Sequence, residues 1–133
     1  MAGAGRELAT AHEAVLKLRE GAWVAAEPYE TEQLLHGYLA AVEPGARAFV
    51  LEGEGRAAER AAELVTVLEA LEVDVTLVPT RHPAVDIVRF HLLTLAEAGA
   101  RGVDPDPIRR PPGSPLAEAT GSAGALHHDS LLV

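Results

Sequence analysis

Residues 46–78, ARAFVLEGEGRAAERAAELVTVLEALEVDVTLV, predict a strand, a helix and a second strand in close succession. The apolar run 46–51 is short and has glycine near both ends, which is typical of a buried strand. Residues 56–72 repeat apolar side chains with helical spacing, and 73–78, VDVTLV, predict a second strand that ends at Pro79. Two strands joined by one helix pair in parallel through a right-handed crossover, so the chain is predicted to be α/β. The residues expected on the buried face of the helix are Ala58, Ala61, Ala62, Val65, Leu68 and Leu71.

The segments on either side of this unit predict two further helices. A helix is expected from about Arg6 and has to end before Pro28, because the residue that precedes a proline avoids helical geometry. The acidic stretch after it, which ends at His36-Gly37, predicts an irregular connector, and the small residues 1–5 are expected to fray. Another helix is expected over 84–100. Its inward-facing residues are predicted to be Val85, Val88, Leu92, Leu95 and Ala96.

Composition and charge argue against several classes of protein. The 133 residues carry a formal net charge of −9, which disfavours nucleic acid and anionic membranes as partners, since both attract a basic surface. The absence of cysteine removes disulfides, thiolate nucleophiles and cysteine-rich zinc sites together. The sequence contains no apolar run of signal-peptide or membrane-spanning type, so the expected location is the cytoplasm.

The C-terminal part of the chain differs in composition from the rest. Proline is dense in DPDPIRRPPGSP (104–115), and the residues after it are rich in alanine, glycine and serine. We therefore predict one folded unit over 1–110 and a tail or arm over 111–133. The adjacent residues His127-His128-Asp129 have no distant partner at metal-site spacing, so neither a metal nor another cofactor is predicted.

Two groups of residues are candidates for ligand binding on their own chemistry. Lys17 and Glu20 project from one face of the first predicted helix, where a solvated ion pair is the alternative interpretation. The turn 53–56, GEGR, leads from a strand into a helix, a geometry that can hold phosphate on the helix N-terminus. Because this turn lacks the third glycine of a dinucleotide fingerprint, a plain strand–helix connection is its alternative interpretation. The candidates in the turn are Gly53, Gly55 and Arg56.

Three segments together resemble the second half of a sugar isomerase (SIS) domain, in particular the isomerase part of glucosamine-6-phosphate synthase. They are EAVLKLREG (13–21), EQLLHGYLA (32–40) and RGVDPDPIRR (101–110), and the first two keep the family's spacing without a gap. The resemblance implies a three-layer αβα sandwich with a small, mainly parallel sheet of flavodoxin or Rossmann type. It also implies a truncated domain, because the family's first half, with its phosphate-binding Ser/Thr-rich loops, has no counterpart here.

The resemblance implies roles for individual residues as well. Glu20 falls at the position of the carboxylate that moves a proton between C1 and C2 of the open-chain sugar. His36 falls at that of the histidine that helps to open the sugar ring and reaches a neighbouring subunit's site. Lys17 falls on a basic position of the same site helix, where it can pair with Glu20 or touch the ligand. The lysine that forms a Schiff base with the ketose aligns at about Gly113, so aminotransferase activity is not expected.

These observations leave three hypotheses for function. In the first, the chain is a SIS-type module that binds a phosphorylated sugar or carbohydrate derivative and is completed by another subunit. In the second, it is an active aldose–ketose sugar-phosphate isomerase subunit with Glu20 as base. In the third, it is a non-catalytic association partner of a SIS-type protein. A homodimer, or a hetero-oligomer with a complementary SIS-type chain, is expected in each case, because a half-fold leaves an apolar edge or face uncovered.

Overall fold

The computed structural model describes residues 1–106, which form a single sheet with helices on both of its faces. The strands are β1 (Ala2–Gly3), β2 (Tyr29–Glu30), β3 (Arg47–Leu51) and β4 (Asp74–Val78). The α-helices are α1 (Glu7–Gly21), α2 (Thr31–His36), α3 (Arg56–Ala70) and α4 (Pro83–Arg101), and a short 3-10 helix covers Tyr38–Ala41. The strand order is β2-β1-β3-β4, and every pairing is parallel. The predicted α/β class is confirmed.

The β3–α3–β4 unit lies where the sequence predicts it. The two strands pair over their full lengths, from Arg47 opposite Asp74 to Leu51 opposite Val78. The buried residues of α3 are Ala61, Leu64 and Leu68. Ala62 and Leu71 were expected on the buried face but are exposed. The face of α3 that packs on the sheet is centred on Leu64, and these two residues lie outside it.

Two apolar clusters, one on each face of the sheet, hold the helices in place. Val50 points toward the face that α2 and α3 cover, in a cluster with Ala2, Leu34, Ala61, Leu64, Leu68 and Val73. Its neighbours Phe49 and Leu51 point to the opposite face, which α1 and α4 cover. There the ring of Phe90 packs edge-on against that of Phe49, with 6.2 Å between the ring centroids. Alternation of side chains along β3 thus produces the three-layer αβα arrangement.

Residues 1–5 contribute the inner strand β1, so the prediction that they fray is wrong. β1 lies between β2 and β3, and Ala2 pairs with Tyr29 on one side and Val50 on the other. Ala2 is only 2% exposed. A Cβ on Gly3 would lie 2.8 Å from a backbone oxygen of α1, so the strand fits because its residues are small. Two small residues carry no alternating apolar pattern, which is why the sequence does not reveal this strand.

The acidic segment after α1 forms two regular elements, so the prediction of an irregular connector is wrong. α1 ends at Gly21, and Trp23 has a φ of 54°, which breaks the helical path. β2 then adds an edge strand, and α2 follows it at once. The Glu30 carboxylate caps α2, because its Oε2 accepts hydrogen bonds from the backbone N–H of Glu32 at 2.7 Å and of Gln33 at 3.0 Å.

Helix α4 lies where it was predicted but presents a different face to the core. Its buried side chains are Asp86, Phe90, Thr94 and Ala98. The residues predicted to face inward are exposed instead: Val85, Val88, Leu92, Leu95 and Ala96. The prediction is wrong because α4 has apolar residues on two faces, and hydropathy alone does not choose between them. Thr94 is buried because its hydroxyl donates to the carbonyl oxygen of Phe90 at 2.8 Å.

The predicted boundary at 110/111 lies outside the residues that the structure describes, as do the predicted tail and His127-His128-Asp129. The 101–110 motif is described as far as residue 106. Within residues 1–106, none of the helices combines the length and the apolar character that crossing a bilayer requires.

Replacing Asp86 with alanine is expected to lower the free energy of unfolding by about 2 kcal/mol, because it leaves two part-buried backbone donors without their acceptor. The fully buried Asp86 carboxylate accepts, through Oδ2, the backbone N–H of Arg81 at 2.7 Å and of His82 at 2.9 Å. It therefore fixes the turn between β4 and α4. Urea unfolding followed by circular dichroism measures the change. Asp104→Ala, at an exposed aspartate, is the matched control, and equal losses for both variants would contradict the assignment.

Candidate functional site

Helices α1 and α4 lie side by side on one face of the sheet and enclose an open cavity of about 280 Å³ at their C-terminal halves. Both helices begin beside the carboxyl end of a strand and run back along the sheet, so the cavity lies toward the amino end of the strands. Among residues 1–106, its lining consists of Lys17, Glu20, Gly21, His91, Thr94, Leu95, Pro105 and Asp106. Two of the candidates from the sequence, Lys17 and Glu20, thus share one cavity.

Lys17 and Glu20 form the ion pair that their spacing permits. The Nζ atom of Lys17 lies 3.0 Å from Oε2 of Glu20 and 3.8 Å from Oε1 of Glu13. The hydrogen bond to Glu20 is the main cause that raises the pKa of Lys17 above its ordinary value, so this amine keeps its proton. Both side chains remain partly exposed, which leaves them open to a ligand in the cavity.

Gly21 allows the close approach of α1 and α4 that forms the inner end of the cavity. A Cβ at this position would lie 2.9 Å from Cγ2 of Thr94 and 3.7 Å from Cβ of Pro105. Any side chain here would therefore push the helices apart or fill the space between them. Glycine is required at this point by contact rather than by an unusual backbone angle.

Three polar residues of the lining were not predicted from the sequence as site residues. His91 was interpreted as a packed residue of α4, but its side chain is about half exposed and lines the cavity, with Nε2 3.9 Å from Oε1 of Glu13. Thr94 lies one turn further along the same helix, and Asp106 follows the end of that helix. For Asp106 the signal in the sequence was its place in the 101–110 motif. For His91 and Thr94 it was their three-residue spacing, which has no meaning until α1 is known to pack beside them.

His36 does not line this cavity. It ends α2, on the opposite face of the sheet from α1 and α4, and its side chain is 75% exposed. Its Nε2 lies 3.3 Å from Oε2 of Glu32, and Glu32 in turn accepts hydrogen bonds from Arg60 at 2.6 and 2.8 Å. These bonds from Arg60 are the main cause that lowers the pKa of the Glu32 carboxyl. Within one chain, the structure therefore does not bring Glu20 and His36 together.

The turn that holds Gly53, Gly55 and Arg56 lies at the carboxyl end of β3, away from the cavity. Both glycines have positive φ, 69° and 57°, and the N–H of Gly53 donates to Oγ1 of Thr80 at 3.0 Å. The carboxylate of Glu54 within the turn pairs with Arg6 at 2.7 Å. The N–H of Gly53 is thus already hydrogen-bonded, and the carboxylate of Glu54 already places negative charge in the turn. Both contacts favour the plain strand–helix connection over a phosphate cradle.

The charges around the cavity are mainly negative. Lys17 is the only Lys or Arg in its described lining, and the carboxylates of Glu13, Glu20 and Asp106 lie on or beside it. Carboxylates and an ammonium suit hydroxyl groups, which both donate and accept hydrogen bonds. A phosphate needs more positive charge than one paired lysine supplies. Among residues 1–106, no three His, Asp or Glu side chains converge as a metal site would require.

Comparison with known proteins identifies the fold. No protein-family model matches the sequence, and no curated protein matches it. Among solved structures, the chain is similar to a "putative phosphosugar isomerase" from Salmonella typhimurium LT2, with a TM-score of 0.68 and 19% identity. The match covers 83% of this chain but only 39% of that chain, so this protein spans well under half of the structure that it resembles. At this identity the likeness establishes the fold: the chain has a SIS-like αβα fold with a parallel sheet.

Proposed function

We propose that this domain binds a phosphorylated sugar or carbohydrate derivative in the cavity between α1 and α4, and that a second subunit completes the site. The observation that carries the proposal is the presence of Lys17 and Glu20 in one open cavity, 3.0 Å apart. These are the positions that the SIS resemblance marks as site residues. The SIS-like fold and the "phosphosugar isomerase" description of the similar structure support the same ligand class.

The polar groups of the lining suit the carbohydrate part of such a ligand. Glu20 and Asp106 accept hydrogen bonds from sugar hydroxyls, while Lys17 donates to them. The apolar edge of Leu95 suits the carbon face of a sugar ring. The described lining does not satisfy the phosphate, because its one lysine is already flanked by Glu13 and Glu20. The proposed role of the second subunit is to supply the positive charge that the described lining lacks.

An aldose–ketose isomerase is the second candidate, and the presence of His91 in the same cavity as Glu20 favours it. A carboxylate that reaches both C1 and C2 can move the proton, and an imidazole can assist ring opening. Glu20 would have to leave its hydrogen bond with Lys17 to act as a base. The resemblance places His36 in this role from a neighbouring subunit, and His91 offers an imidazole within the same chain. The third candidate, a non-catalytic association partner, needs no ligand at all.

Fructose 6-phosphate or glucose 6-phosphate is expected to raise the melting temperature of the protein, because a ligand that binds only the folded state stabilises it by mass action. At a ligand concentration of 100 times Kd, the stabilisation is about 2.7 kcal/mol. Glu20→Gln and Lys17→Met are expected to remove most of this shift. Arg19→Met is the matched control, since Arg19 lies on the same helix, pairs with Glu27 and does not line the cavity.

The unphosphorylated sugars serve as a second control and should stabilise the protein less. A melting curve that stays unchanged across the whole panel would remove the binding proposal and leave the association partner. Interconversion of the two sugar phosphates by the same samples separates the isomerase from the binding module. Turnover that is lost in Glu20→Gln supports the isomerase, whereas binding without turnover excludes it.

A further inference from the structure

Helix α4 carries a row of exposed aliphatic side chains along its solvent face. We refer to this row as the α4 stripe, and its members are Val85, Val88, Leu92 and Leu95, each between 51% and 61% exposed. Their spacing of three, four and three residues is the seam that one helix offers to another in coiled-coil packing. The opposite side of α4 is already used, because Phe90 and Ala98 are buried there.

The α4 stripe differs from the other exposed apolar residues of the described chain. Leu16, Tyr38, Leu71 and Leu77 lie singly on separate elements, and isolated exposed residues of this kind are normal on protein surfaces. Four aliphatic residues in one row on a single helix form a continuous patch. Such patches mark surfaces that another molecule covers.

The two ends of the α4 stripe have opposite charge. At its N-terminal end, Arg81 and Arg89 are exposed, and the guanidinium of Arg89 is drawn toward that end by a hydrogen bond to the carbonyl oxygen of Pro79 at 2.6 Å. Beyond its C-terminal end lie the exposed carboxylates of Asp104 and Asp106. The helix dipole adds to this polarity, with partial positive charge at the N-terminus and partial negative charge at the C-terminus. The cation Arg101 at the acidic end lies 3.9 Å from Glu97, a carboxylate that it shares with Arg47 at 3.4 Å.

We propose that a second copy of this chain docks on the α4 stripe, with the two α4 helices antiparallel about a two-fold axis near residue 90. In this register Val85 of each copy faces Leu95 of the other, and Val88 faces Leu92. Every valine therefore meets a larger leucine, and each of these contacts occurs twice, as two-fold symmetry requires. The basic end of each copy meets the acidic end of its partner, which a parallel arrangement would not achieve.

This arrangement also brings positive charge to the described lining of the cavity. Leu95 and Asp106 belong to the lining of the cavity, so the docked copy lies at its edge. Arg81 of that copy approaches Asp104 and Asp106, and it brings a cation to a cavity whose only Lys or Arg, within the described lining, is Lys17. The role of Arg81 toward a ligand rests on the proposed function. The docking rests on the α4 stripe and the charges at its two ends and needs no ligand, so the two inferences fail separately.

The mass of the full chain in solution, measured by light scattering after size exclusion without any ligand, tests the docking. We expect twice the 14.0 kDa mass of one chain. Leu92→Glu places a charge at the centre of the α4 stripe and should weaken the dimer at least about tenfold, the effect of roughly 1.4 kcal/mol. Leu16→Glu, at a leucine of α1 that is 44% exposed and outside the α4 stripe, should leave the dimer intact. Unchanged circular dichroism shows that each variant is folded.

Single cysteines test the register, because the natural chain contains none. Mixed Val85→Cys and Leu95→Cys chains should form a disulfide-linked dimer under mild oxidation. Val85→Cys alone should not, because in the antiparallel register its two copies lie about 15 Å apart along the helix axis. A chain that stays monomeric, a dimer that Leu92→Glu leaves unchanged, or a monomer that pairs only with a different protein would each overturn the proposal. Efficient cross-linking of Val85→Cys with itself would overturn the antiparallel register.

Discussion

Replacing Gly3 with valine is expected to lower the free energy of unfolding by about 3 kcal/mol, at the upper end of what overpacking of a core costs. A Cβ at Gly3 would lie 2.8 Å from the carbonyl oxygen of Glu7, 2.9 Å from its carbonyl carbon and 3.2 Å from Cδ1 of Leu51. Two of these atoms belong to the backbone, so a rotamer change cannot relieve the contact. β1 must shift, and both of its neighbouring strands pair with it. Urea unfolding followed by circular dichroism measures the loss.

Gly99→Ala is the matched control for this substitution. Gly99 lies within α4 and has no heavy atom near the position of a new Cβ, so alanine there should stabilise the protein by about 0.5 kcal/mol through its higher helix propensity. Equal midpoints for Gly3→Val and the natural chain would show that β1 is not packed as described.

Truncation of Leu64 to alanine is expected to remove about 3 kcal/mol of stability, since it deletes buried apolar atoms and leaves a cavity behind. Leu64 is fully buried at the centre of the cluster that joins α3 to Val50 and Ala2. The same truncation at Leu16, on the outer face of α1, should cost well under half as much. Denaturant unfolding of both variants makes the comparison. Similar losses at the two sites would contradict the assignment of the core face of α3.

The strand–helix–strand unit could be predicted because its residues carry strong local signals. β3 is a short, mainly apolar run, β4 alternates apolar residues with Asp74 and Thr76, and the helix between them has clear 3.6-residue spacing. β1 could not be predicted, because Ala2 and Gly3 are buried by virtue of their small size and carry no pattern. The buried face of α4 could not be predicted either. Its polar members Asp86 and Thr94 are buried through hydrogen bonds to the backbone, and hydropathy counts them as exposed.

The candidate site was predictable to the extent that it lies within one helix. Lys17 and Glu20 are three residues apart and therefore share one face of their helix, so their ion pair follows from helix geometry alone. His91 and Asp106 join them only because α4 packs beside α1, a tertiary fact with no trace in the spacing of residues. The roles of Glu20 and His36 came from the SIS resemblance and stay predictions. The separation of these two residues on opposite faces of the sheet makes a second chain necessary for any mechanism that uses both.

The position of β1 has a consequence for how the chain reaches its fold. Within residues 1–106, the strands that lie side by side in the sheet are separated in sequence by one helix or by several elements. None of these pairs is therefore linked by a tight hairpin. Ala2 must pair with both Tyr29 and Val50 before the centre of the sheet is complete. Contacts of such long sequence separation form slowly, since chain entropy is lost before they contribute. Because the short β1 strand joins β2 to β3, we expect the sheet of residues 1–106 to close late in folding.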